Sequence, residues 1–183
     1  MNKIIVLFSL ALLIISCGDE TIPKPQAQLR LEYQNPKYGK IDGSCPFTFL
    51  YNDRAKLKAT QPCSFEIHYP KMKATIYVTH KMVNGNIEQL LKDAQKLTYE
   101  HAIKADEIIT QPYVNNERKV YGMFSEVGGN AATNAQFYVT DSTKNFVVGS
   151  MYFYAKPNFD SILPAASYVK DDIRKIMETI EWK

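Results

Sequence analysis

Six short stretches of this chain cluster or alternate aromatic and branched residues, and two others carry a helical period; that pairing limits the fold more than any other feature. The strand-like stretches are "PFTFLY" (46–51), "CSFEIHY" (63–69), "KATIYVT" (73–79), "KVYGMFSEV" (119–127), "AQFYVT" (135–140) and "NFVVGSMYFYA" (145–155). Such residues pack well on a pleated surface, and polar or proline-containing turns separate them, with Pro70 and Lys71 in one and Asp141 to Lys144 in another. Most of the 12 tyrosines and 9 phenylalanines lie in these stretches. Between them the period changes. Ile87, Leu90, Leu91, Ala94, Leu97, His101 and Ala105 recur three or four apart, behind a capping-box pair, Asn86 and Gln89. A second amphipathic stripe, Ile162, Ala166, Val169, Ile173, Ile176 and Ile180, closes the chain, with Ser161 as its cap. The expected class is α+β, an antiparallel sheet flanked by two long helices.

That order of elements resembles the PsbP-like α/β/α sandwich, whose domains serve mostly as binding or assembly factors. No solenoid repeat is present, and the length suits a single globular domain over residues 41–183.

The N-terminus reads differently. "IIVLFSLALLII" follows Lys3 and stops at Ser16, the pattern of an export signal too short to span a bilayer comfortably. Its end, Ile14, Ile15, Ser16 and Cys17, resembles the lipobox of bacterial lipoproteins. The resemblance implies a signal peptide over 1–16, acylation of Cys17 and attachment to the membrane through its lipid; two or more acyl chains make a stable anchor. An ordinary secretory leader with an incidental cysteine is the rival, and no Ala-x-Ala cut site supports it. Residues 17–40, opening "CGDETIPKPQAQ", read as the lipidated cysteine and a flexible tether. Asp19 and Glu20 resemble the acidic signal that sends some lipoproteins of Bacteroidota to the cell surface, and the choice between surface and periplasmic face stays open.

With Cys17 assigned to a lipid, Cys45 and Cys63 remain, and in an oxidising compartment a disulfide is the default for such a pair. A catalytic cysteine is the alternative; it needs a positioned histidine and a depressed pKa, and the sequence shows neither for Cys45 or Cys63. The formal charge of +3 falls to +2 when residues 1–16 and Lys3 are removed, a balance that predicts no nucleic-acid partner.

The chemistry-bearing motifs of phosphate-binding loops, serine hydrolases, zinc proteases and paired-cysteine sites are missing from the sequence. His68, His80 and His101 are not at ligand spacing; the first two read as partly exposed strand ends and His101 as a core histidine of the first helix. Asp106 with Glu107, and "KDD" (170–172), read as solvated faces. No catalytic residue, metal site or cofactor is expected. "EVGGNAATNAQ" (126–136) holds more small and turn-forming residues than a tight turn requires. Gly128, Gly129, Asn130 and Asn134 therefore make a candidate partner-binding loop, against the alternative of a long hairpin connection.

Taken in order, "CPFTF", a second cysteine ahead of "FEIHYPKMKATIYVTHK", "LLKDAQKLTYEHAIKADEI", "KVYGMFSEVGGNAATNAQFYVTDSTKNFVVGSMYF", "PNFDSILP" and "METIEWK" resemble the gliding-motility lipoprotein GldD family of Bacteroidota. The likeness runs from about Cys45 to the end. It implies a lipid-anchored, non-enzymatic envelope component needed for gliding, an assembly or scaffold factor that works with other envelope proteins and the type IX secretion machinery. The alternative class is a periplasmic ligand-binding protein or a minor envelope hydrolase.

Overall fold

The computed structural model describes residues 33–41, 43–100, 105–129, 133–154 and 159–183. Its strands are β1 (Tyr38–Lys40), β2 (Phe47–Thr48), β3 (Leu50–Asn52), β4 (Lys56–Gln61), β5 (Ser64–Tyr69), β6 (Ala74–Met82), β7 (Ala105–Asn115), β8 (Val120–Gly129), β9 (Ala135–Thr140), β10 (Asn145–Phe153) and β11 (Glu181–Trp182). Its helices are α1 (Ile87–Glu100) and α2 (Phe159–Glu178).

Seven strands form one antiparallel sheet in the order β4-β5-β6-β10-β9-β8-β7. The chain builds it from two meanders. β4, β5 and β6 form the first; α1 carries the chain to the far edge, and β7 to β10 return until β10 pairs with β6 from Asn145↔Met82 to Phe153↔Ala74. Side chains alternate across this pleat. Ala74, Ile76, Val78, Phe137, Val139, Val147 and Met151 enter the main core, where Phe47, Phe49 and the α2 residues Ala165, Ala166, Val169, Ile173, Ile176 and Met177 meet them. On the opposite face α1 places Leu90 and Ala94 against Phe146, with Tyr138 stacked on Phe146 at 5.6 Å.

The expected sheet flanked by two long helices, on the PsbP-like α/β/α plan, is corrected by these elements. The described chain is mostly β, with nearly half its residues in strands, and only α1, of 14 residues, and α2, of 20, accompany the sheet. Two local facts account for the difference. The helical spacing continues on paper through His101 to Ala105, yet α1 ends at Glu100 and Ala105 opens β7, the longest strand. The polar run "KLKATQ" forms β4, exposed along its whole length, so no buried alternation marks it. The capping box also fails to form. Asn86 Oδ1 accepts the backbone N–H of Asn84 at 2.8 Å, and Gln89 turns along the helix to Asp93 at 2.7 Å.

A smaller layer, built from β1–β3 and β11, closes the core. β1 pairs with β3, and β11 pairs with β2 through Glu181↔Thr48 and Trp182↔Phe47. Residues 33–40, within the stretch read as tether, lie on the domain: Tyr33 packs on Tyr168 at 5.2 Å and β1 begins at Tyr38. Cys45 and Cys63 form a disulfide with Cα atoms 5.3 Å apart, joining this layer to the β4–β5 turn. Among the described residues no helix is long and apolar enough to cross a membrane.

Candidate functional site

α2 buries one face against the sheet, and Asp172 lies on that face, 1% exposed. Its neighbours in the turn, Val169, Ile173 and Ile176, are aliphatic. A carboxylate there survives only if its oxygens are satisfied. Tyr38 of β1 donates its hydroxyl to Oδ1 at 2.7 Å; Tyr69 of β5 and the Asn52 amide of β3 donate to Oδ2 at 2.9 and 2.8 Å. Asn52 also donates to the Tyr168 hydroxyl at 2.9 Å, and Tyr168 donates to the Gln34 carbonyl at 2.9 Å. Three strands and the chain's entry segment thus converge on one helix residue. Burial pushes the Asp172 carboxyl above the usual range; the donors Asn52, Tyr38 and Tyr69 pull the other way, and the Asp171 charge adds to the rise. Burial and then the neighbouring carboxylate push the Tyr38 and Tyr69 hydroxyls well up, so both stay protonated donors.

Above this cluster opens a cleft of about 650 Å³, lined by Tyr33, Gln34, Asn52, Arg54, Lys56, Tyr69, Pro70, Lys71, Met72 and Tyr168. The size suits a small ligand or a headgroup. Arg54 is held in place by the Gln34 side chain and by the Asn35 carbonyl at 2.8 Å. A short 3₁₀ turn over Pro70–Met72 forms another wall.

Sequence reasoning missed this cluster because it read Asp172 as solvated. The signal was available: Asp172 falls three residues after Val169 and four before Ile176, inside the apolar stripe. Tyr38 could not be read at all, since it stands in a stretch without periodicity.

The candidate partner loop comes out differently from its sequence reading. Gly128 and Gly129 belong to β8, opposite Glu107 and Ala105 of β7, and Asn134 is buried, its backbone carbonyl accepting the Val127 N–H at 2.9 Å. Asn130 lies outside the described residues, as do Cys17 and His101. Gly128 and Asn134 do share a small cavity of about 180 Å³ with Glu107, Glu126 and Lys170. Partial burial favours the neutral acid of Glu126, but Lys170 and Arg174, each at 2.8 Å, outweigh it and hold the carboxyl below the usual range. Arg174 also sits 4.1 Å over the Phe124 ring, locking α2 to β8.

His68, His80 and Asp141 each have partners within the fold. His68 bridges Glu66 and Thr75, both at 2.9 Å; because Thr75 is fully buried, its hydroxyl offers no nucleophile to a substrate. His80 bonds Asn145 at 2.9 Å and stacks on Phe47. Asp141 is opposed by burial, yet the N–H groups of Asn145, Lys144 and Thr143 bring its pKa down to about 2 as it closes the β9–β10 turn. Among the described residues no cluster of three His, Cys, Asp or Glu side chains could hold a metal ion.

No curated protein matches the chain. A family model described as "Gliding motility lipoprotein GldD" matches residues 18–182, which takes in every described element, the disulfide and the cleft. A lipoprotein family of this kind implies a membrane-anchored envelope protein and is not a known enzyme family. On that match, the chain belongs to the gliding motility lipoprotein GldD family.

Proposed function

We propose that the protein is a non-enzymatic scaffold or assembly factor of the gliding apparatus, anchored in the cell envelope by lipid on Cys17 and working with the type IX secretion machinery. The family match over 18–182 carries this reading. The anchor is supported by the lipobox-like Ile14 to Cys17, immediately before the matched region, and the residues before Cys17 serve as its leader. The scaffold role is supported by the buried polar groups: Asp172 spends its oxygens on three internal donors and Glu126 on two internal cations, which builds rigidity. Asn130 and its neighbours remain the proposed docking loop, and the proposed tether ends by Tyr33, which packs on Tyr168 of α2.

The test is complementation of a deletion strain. Wild-type protein cross-linked in spreading cells should bring down envelope proteins of the gliding or secretion machinery, and Cys17→Ala should take up no radiolabelled palmitate and fail to restore spreading. Labelling of that variant would refute the anchor. If a single histidine or carboxylate substitution abolished spreading while folded protein stayed at normal abundance, the enzyme class would replace the scaffold. Protease treatment of intact cells separates the surface face from the periplasmic one.

A further inference from the structure

The cleft above Asp172 is unusual in its charge. Three of its lining residues, Arg54, Lys56 and Lys71, are cations, and none is an acid. Elsewhere on the domain Lys40, Lys58, Lys170 and Arg174 each face a carboxylate within 4.0 Å. Lys56 and Lys71 have no such partner among the described residues, and both are exposed. Arg54 uses its Nε and one terminal nitrogen on Asn35 and Gln34, which orients the guanidinium while leaving N–H donors free. The opposing charge is Asp172, which sits behind Asn52 and Tyr69 with both oxygens committed to donors. The other walls are of a second kind: Tyr33, Tyr168, Pro70 and Met72 present aromatic and apolar surface beside the cations. Tyrosines with one wet and one apolar end suit a membrane–water boundary.

Position completes the argument. Tyr33 and Gln34, at the lip of the cleft, are where the described domain begins. Residues 18–32 separate Tyr33 from Cys17, and the sixteen residue steps between them, at about 3.3–3.6 Å each, span at most about 58 Å in any conformation. Anchoring at Cys17 therefore keeps Tyr33, at the lip of this cleft, within about 58 Å of the bilayer.

We propose that the cleft binds the anionic phosphate headgroup of a membrane phospholipid, with Lys56, Lys71 and Arg54 on the phosphate and the tyrosines and Met72 against the glycerol and first methylenes. This extends the anchored reading above by a second, non-covalent hold on the membrane. Its test does not depend on the covalent one. The mature chain, residues 17–183 carrying Cys17→Ala and hence no lipid, is sedimented with vesicles of phosphatidylcholine alone or of phosphatidylcholine mixed with phosphatidylglycerol.

Binding should require phosphatidylglycerol. The pair Lys56→Gln with Lys71→Gln should weaken it about tenfold or more, since each cation near an anionic surface contributes substantially to binding. The pair Lys92→Gln with Lys144→Gln changes the net charge equally, on exposed residues away from the cleft, and should leave binding nearly intact. Thermal unfolding of each variant confirms that it is folded. Three results overturn the proposal: equal binding to both vesicle types, equal losses from the two lysine pairs, or release of the protein by inorganic phosphate at concentrations comparable to the lipid's, which would mark a free-anion site. Palmitate labelling of the wild type in cells reports on Cys17 separately, so a failed cleft and a failed anchor give different results.

Discussion

Asp172 occupies a helix position where the surrounding stripe calls for an aliphatic side chain, and its three donors come from three different strands. Removing the acceptor strands Tyr38, Tyr69 and Asn52 together, so Asp172→Leu should cost about 3–5 kcal/mol, as breaking a buried polar group's partnerships does. Asp172→Asn keeps the shape and removes the charge. Because burial raises the folded-state pKa of Asp172 above its unfolded value, its favourable contribution is fully present below the unfolded value and is lost as pH rises through the folded one. The stability of Asp172→Asn relative to wild type should therefore improve as pH rises from about 3 to about 7, measured by urea unfolding at each pH. A difference that stayed flat or moved the other way would show that the donors, not burial, control this carboxylate. The stripe position was legible in the sequence. The partners were not, because Tyr38 and Asn52 lie 134 and 120 residues away and only the fold brings them to the helix.

The second meander of the sheet depends on a close approach that no sequence pattern announces. Phe137 of β9 faces Gly149 of β10 in register, and a Cβ on Gly149 would fall 2.1 Å from the Phe137 ring. Gly149→Ala should then destabilise the protein by about 1–3 kcal/mol through overpacking. Adding Phe137→Leu should recover part of that loss, so the double-mutant cycle should show coupling; simple additivity would place the strain elsewhere. The disulfide acts between elements as well. Cys45→Ser should cost about 2–5 kcal/mol, and alkylation of the unreduced mature protein should find neither Cys45 nor Cys63 free. Of the elements, the strands rich in aromatics were legible. β4 was hidden by its polar composition, and the α1–β7 boundary by a helical spacing that runs on into Ala105.

At the scale of the molecule, the two ends of the domain close the same side of the core. Trp182 packs edge-on against Phe47 and donates to the Lys119 carbonyl at 2.9 Å, and the Lys183 backbone N–H donates to Pro46 at 2.9 Å. Deleting residues 181–183 should therefore destabilise the domain by about 2 kcal/mol or more, a large effect for three terminal residues and one that thermal unfolding would detect. A loss within about 0.5 kcal/mol would mean that β11 is ornamental to the fold. The cleft belongs to this scale too. It was illegible because its cations, tyrosines and floor come from four separated parts of the chain, none of which carries a recognisable motif.

The closure of the core by both ends sets the order in which the protein can finish folding. A ribosome releases β1, β2 and β3 first, yet Phe47 and Phe49, which meet Phe65 of β5 early, lack the α2 side of their cover until that helix is made, and β2 has no pairing partner until the final residues are out. Tyr38 waits 134 residues for Asp172, and the Gly43 carbonyl waits 140 for Lys183. Such long sequence separations slow folding and keep apolar surface uncovered while they are unmet. The layer built from β1, β2 and β3 therefore stays incomplete until the last residues are made, even though the seven strands of the main sheet are all available earlier. An oxidising compartment would let the Cys45–Cys63 bond, which ties this late-closing layer to the β4–β5 turn, hold the layer in place before β11 arrives.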